Sequence, residues 1–185
     1  MAGVDLIEAA QAPLLARRYY AHGDPGPIVA ALAHVPEVLE VALPFIGTVL
    51  GPSAIGARAK ELVILRTSAL LECRYCVQAH TVVARDAGLS RAEVRALRGA
   101  GAGWVAVFPD PSERALLAWV DAVALGPGPV PAAARAALRA EYADPEVVEL
   151  TLLVGATVML NRFCTTLELP TSPQVLARLA EEDLL

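Results

Sequence analysis

Residues Glu61 to His80 read ELVILRTSALLECRYCVQAH, and the fold turns on how these twenty are understood. Before Glu72, the residues Leu62, Val63, Ile64, Leu65, Ala69, Leu70 and Leu71 make a helix apolar on most faces, which implies burial. After it, Cys76, Val77, His80, Ala84 and Ala87 recur at three- and four-residue spacing, the period of a second helix. On that helix Cys76 and His80 stack one turn apart on a single face. A single straight helix would hold Glu61 and Cys73 roughly 18 Å apart. A corner at Leu71–Glu72 instead makes a helical hairpin, in which Glu61 and His80 can face each other.

The hairpin brings together a thiol pair, an imidazole and a carboxylate, a combination found nowhere else in the chain. The thiolate is the reactive form of cysteine, and its pKa falls at a helix N-terminus and beside an imidazole. Cys73 and Cys76 both fall in the first turn of the second helix, where backbone N–H groups are unpaired. A carboxylate behind His80 fixes its tautomer and supports its turn as a base. Cys73, one turn from Cys76, is placed to resolve an oxidised Cys76 into a disulfide.

Glu61, Cys73, Cys76 and His80 match the E-x11-C-x-x-C-x-x-x-H pattern, and the chain resembles the AhpD-like alkylhydroperoxidases of the carboxymuconolactone decarboxylase superfamily. The resemblance covers some thirty residues, ELVILRTSALLECRYCVQAHTVVARDAGLS. It implies an all-α helical bundle and a thiol-dependent hydroperoxide reductase or disulfide oxidoreductase. In that scheme Cys76 attacks the peroxide, Cys73 resolves, and His80 with Glu61 relays protons. A small hydroperoxide substrate and a dithiol reductant, a lipoyl or thioredoxin-like protein, follow from the same resemblance, with no cofactor or metal required. So does assembly as a homo-oligomer, trimer or hexamer. The best-known branch of the family carries a histidine directly before the second cysteine, where this chain has Tyr75.

Length and composition bound the rest. With 185 residues the chain suits one domain, residues 1–185, with a core motif at about 57–98 and a second structural half at about 112–185. Hydrophobic residues make up 56% and aromatics only 5%, a core of Ala, Leu and Val suited to close-packed helices. Net charge is −5 and no basic stripe forms, so nucleic acid is not an expected partner. Asp5 and Glu8 stand where a secretory signal needs a basic and then an apolar region. The longest apolar run, Leu150 to Leu160, is eleven residues and too short to cross a bilayer. A cytoplasmic protein without a membrane partner is expected, and there three cysteines favour a reactive or metal-binding pair over a structural disulfide.

In chain order, Asp5–Tyr20 is expected to be an amphipathic helix, followed by a short helix at Ile28–Ala33. Pro36 opens another running to Leu50, with a kink or break at Pro44. Ser90 with Glu93 forms a capping box, and Ser112 is expected to cap the helix that ends at Leu125. Gly126-Pro127-Gly128-Pro129 reads as a hinge. Helices then start at Pro131, at Asp144-Pro145 and at Ser172-Pro173, giving about eight helices and no strand.

Rival meanings attach to the site residues. Zinc could recruit Cys73, Cys76, His80 and Glu61, and two inert buried thiols are the plainest alternative. Val77, standing where His would follow the second cysteine, excludes c-type haem attachment. A carboxymuconolactone decarboxylase-type lyase would need acid–base groups but no thiol pair, and a non-enzymatic redox sensor would need no more than the pair. Cys164 reads as core, His22 and His34 as surface. Asn161-Arg162 reads as an interface anchor or pocket lining, and Arg66 as the partner of an unassigned carboxylate.

Overall fold

The computed structural model describes residues 3–126 and 128–185. Among these it has nine α-helices and no strand, so the all-α expectation holds. In order they are α1 (Pro27–Leu32), α2 (Pro36–Leu50), α3 (Ala57–Leu70), α4 (Arg74–Asp86), α5 (Arg91–Arg98), α6 (Pro111–Leu125), α7 (Ala132–Glu141), α8 (Asp144–Thr166) and α9 (Pro173–Glu181). Helix α3 is the centre, packing against α4, α5, α6 and α8. Nine consecutive residues of α3, Lys60 to Ser68, are buried, as its run of apolar residues requires.

Two basic side chains are buried in α3, and both are neutralised. Arg66 pairs with Asp121 at 2.7 Å and donates further bonds to the carbonyls of Leu97, Gly99 and Gly101. Its expected carboxylate partner is therefore Asp121, which also accepts from Trp104 Nε1 at 3.2 Å. Lys60 donates to the carbonyls of Val49 and Gly51 at the end of α2 and pairs with Glu149 at 3.0 Å. Such fully bonded buried charges tie neighbouring elements to α3 at fixed positions.

Helix α8, 23 residues long, is by length and composition apolar enough to cross a membrane. Its buried residues are taken up by the bundle instead, against α2, α3, α4, α6 and α7. Three local expectations fail. The region Asp5–Tyr20 forms two short 3-10 turns, Ala9–Gln11 and Arg17–Tyr20, rather than one helix. Pro13 explains the break, because the residue before a proline is pushed out of helical geometry, and Ala12 is extended with ψ 124°. Helix α2 runs through Pro44 without the break that was one of the two outcomes expected there. The N-cap of α6 is Asp110, whose carboxylate accepts from Ser112 N–H at 2.7 Å, rather than Ser112 itself. Of the expected hinge, Pro127 lies outside the described residues, while α6 and α7 on either side pack together.

Candidate active site

The corner between α3 and α4 builds the site. Glu72 takes a left-handed conformation, φ 54°, which ends α3. The Glu72 N–H then bonds Ala69 O at 3.1 Å and the Cys73 N–H bonds Ser68 O at 3.1 Å, the paired bonds of a Schellman cap. Cys73 is at once the last residue of that cap and the N-cap of α4, its sulfur accepting from the Cys76 N–H at 3.4 Å. The corner expected at Leu71–Glu72 stands there, and it folds α4 back along α3.

The hairpin brings Glu61 to His80. Their side chains meet at 3.0 Å (Nδ1 to Oε2) and 3.3 Å (Nδ1 to Oε1). Glu61 is buried and acceptor-only, so Nδ1 carries the proton and Nε2 is left as the basic nitrogen. Cys73 and Cys76 are both buried free thiols with their Sγ atoms 2.7 Å apart. All four predicted site residues therefore lie on one hairpin, in two contacting pairs.

The sequence missed a third thiol. Cys164, near the end of α8, packs in one buried cluster with Cys73 and Cys76. Its hydrogen bond is the first cause that holds the Cys73 thiol well below the usual range. Bonds from the Cys76 thiol, the Thr165 hydroxyl and the Cys76 backbone N–H act in the same direction. The Cys76 thiol is pushed up, by its bonds to Cys164 and Cys73 and by burial. Cys73, at the N-cap, is thus the thiol held low, and Cys76 the one pushed up. Nothing in the spacing of the chain links Cys164 to the motif, and only the packing of α8 brings it in.

The two motif cysteines border different spaces. Cys73 and Cys164 line an open groove of about 380 Å³ with Glu72, Arg74, Thr165 and Glu168. Cys76 and His80 line a smaller cavity of about 90 Å³ with Ile46, Leu50, Ile64 and Leu160. Tyr75 borders both, so it is a pocket wall rather than a surface aromatic, and burial raises its phenol to about 12. Asn161 also lines the inner cavity, which decides between its two expected roles. His22 and His34 are exposed and apart from the site, His34 meeting the Asp5 carbonyl at 2.7 Å. Among the described residues no group of His, Cys, Asp or Glu is arranged to hold a metal ion.

A model of the carboxymuconolactone decarboxylase family matches residues 36–122, from the start of α2 into α6, with the whole hairpin inside. Over that stretch, a little under half of the chain, the sequence is similar to this family. A member-like solved structure from Agrobacterium tumefaciens, a protein of unknown function with a suggested AhpD antioxidant role, is 28% identical, with a TM-score of 0.68. The alignment covers 77% of this chain and 95% of that one. An AhpD-core, peroxidase-related protein from Ralstonia eutropha shares the fold at TM-score 0.80 and 19% identity, over 94% of each chain. The debrominase Bmp8, in a cysteine-to-alanine variant bound to 2,3,4-tribromopyrrole, shares it at TM-score 0.75 and 17% identity, over 96% of each. A search of the curated proteins finds no match. The family match and the AhpD-like fold therefore agree, on a fold that hosts more than one chemistry.

Proposed function

We propose that the protein is a thiol-dependent hydroperoxide reductase that cycles Cys73 and Cys76 between dithiol and disulfide. The observation that carries this is the shared cavity of Cys76 and His80, with Glu61 behind the imidazole and the Cys73 sulfur 2.7 Å from that of Cys76. As a peroxide enters, His80 Nε2 takes the Cys76 proton and the sulfur attacks the hydroxyl-bearing oxygen. The S–O bond forms as the O–O bond breaks, and the proton passes from His80 to the departing oxygen, which leaves as water or an alcohol. Sulfur is oxidised by two electrons to a sulfenic acid. The Cys73 thiolate then attacks that sulfur, breaking the S–O bond and closing the disulfide, and the departing hydroxide takes a proton from solvent to leave as water. A dithiol of the lipoyl or thioredoxin-like class restores the pair by exchange and leaves as its own disulfide.

The open groove beside Cys73 suits that second partner, since a macromolecular dithiol cannot enter the inner cavity. Intact mass tests the cycle. One equivalent of hydroperoxide should remove two hydrogens, mapped to Cys73–Cys76, and dihydrolipoamide should restore them. An unchanged mass would overturn the assignment.

The working form is a cytoplasmic homo-oligomer, trimer or hexamer. Val38, Val41 and Phe45 on α2 and Val148 and Leu152 on α8 are 41% to 74% exposed. They form apolar stripes at helical spacing on two contacting helices. Val41→Asp should shift the protein to a monomer in sedimentation. An unchanged oligomer, or a monomeric parent protein, would place the interface elsewhere or remove it.

A further inference from the structure

The inner cavity carries two groups that the proton relay does not use. Ser68 and Asn161 are 0% and 1% exposed, and both line the cavity with Cys76 and His80. Each holds an oxygen without a hydrogen-bond partner, Ser68 Oγ and Asn161 Oδ1. Buried polar groups are nearly always paired, so two orphans in one small cavity wall point to a ligand that supplies the missing bonds.

Their chemistry is specific. Asn161 Nδ2 donates to the Thr157 carbonyl at 2.6 Å, so the amide cannot be turned over without setting two oxygens against each other. Oδ1 is therefore an obligate acceptor. The Ser68 hydroxyl can donate or accept. Ile46, Leu50, Ile64 and Leu160 supply apolar wall, and the space is about 90 Å³.

We infer that Ser68 and Asn161 bind the peroxide group itself, making the site selective for hydrogen peroxide and the smallest alkyl hydroperoxides. The inference rests on the hydroperoxidase function proposed above. The peroxide O–H donates to Asn161 Oδ1, while the Ser68 hydroxyl donates to the oxygen that departs. Both bonds hold the O–O axis against the Cys76 sulfur while His80 delivers the proton. A bulky hydroperoxide such as cumene hydroperoxide does not fit, and neither does a tribrominated pyrrole of the kind bound by Bmp8. Specificity of this kind, built on polar groups that only the right ligand satisfies, discriminates more strongly than an apolar wall.

The test compares single-turnover oxidation of the reduced protein by hydrogen peroxide and by cumene hydroperoxide. The parent protein, Ser68→Ala and Asn161→Ala are measured, with iodoacetamide alkylation of Cys73 as a reaction that needs no peroxide. The parent should favour hydrogen peroxide by about tenfold or more, and each variant should lose about tenfold with hydrogen peroxide. The ratio should then fall toward one, with alkylation unchanged. Ser68→Ala removes an unpartnered hydroxyl and should not lower the thermal midpoint, so it decides the matter even if Asn161→Ala fails to fold. A parent ratio near one or favouring cumene hydroperoxide, or the same ratio in parent and Ser68→Ala, overturns the inference while the hydroperoxidase function stands. Oxidation by neither peroxide overturns both.

Discussion

Cys73 and Cys76 sit 2.7 Å apart and live in different surroundings. Cys73 caps a helix, accepts bonds from Cys164, Cys76 and Thr165, and borders an open groove. Cys76 lies in the first turn of α4, shares the smaller cavity with His80, and has its thiol pKa pushed up by Cys164, Cys73 and burial. Charge and access are thus divided between the two thiols. The sulfur best stabilised as an anion is not the one beside the base.

The largest expected effect breaks the Cys76 side alone. Glu61→Gln leaves His80 without a carboxylate to fix its tautomer, and peroxide oxidation should fall about a hundredfold. Alkylation of Cys73 by iodoacetamide should be unaffected. If both rates fall together, the two thiols are not separately served, and the comparison is wrong.

A smaller effect belongs to the Cys73 side. In the parent protein, Cys73 alkylation should stay nearly constant between about pH 5 and pH 8, because the thiolate persists below the ordinary thiol value near 8.5. Cys164→Ala removes the first cause of that depression, so the Cys73 pKa rises. Below the new midpoint the thiolate fraction, and with it alkylation, drops about tenfold for each unit of pH. A flat profile in Cys164→Ala would show that the third thiol is only packing.

The smallest effect lies at the corner that joins α3 to α4. Glu72 holds a left-handed φ of 54° that a side chain disfavours by about 1 kcal/mol. Glu72→Gly should raise stability by about that amount in thermal or denaturant unfolding, with both thiol reactivities unchanged. A loss of stability would mean the Glu72 side chain makes a contact that outweighs the strain.

Much of this hairpin was legible in the sequence because it is written in spacing along single helices. The apolar run before Glu72, the i+4 step from Cys76 to His80, and the fixed distance back to Glu61 all survive into the structure. So do the Ser90–Glu93 capping box and the Ser172 cap, which depend on a few adjacent residues. Contacts between distant helices were not legible. Cys164 reads as filler in an apolar helix, and its place beside Cys73 depends on how α8 crosses the hairpin. Ser68 looks like any small residue in a buried run until the cavity behind it is seen. Asp121 could not be picked out for Arg66 for the same reason. The failed helix at Asp5–Tyr20 was a different kind of miss, since Pro13 was in view and its effect on Ala12 outweighed the apolar period.

The measurement that tests the division of labour most directly is trapping of sulfenic acid with dimedone after one equivalent of hydrogen peroxide, in Cys73→Ser and in Cys76→Ser. The account predicts a single adduct on Cys76 in Cys73→Ser, formed at a rate close to parent oxidation, and none in Cys76→Ser. An adduct forming on Cys73 in Cys76→Ser at that same rate would contradict it, because the thiol that carries the charge would then also be the one that meets the peroxide.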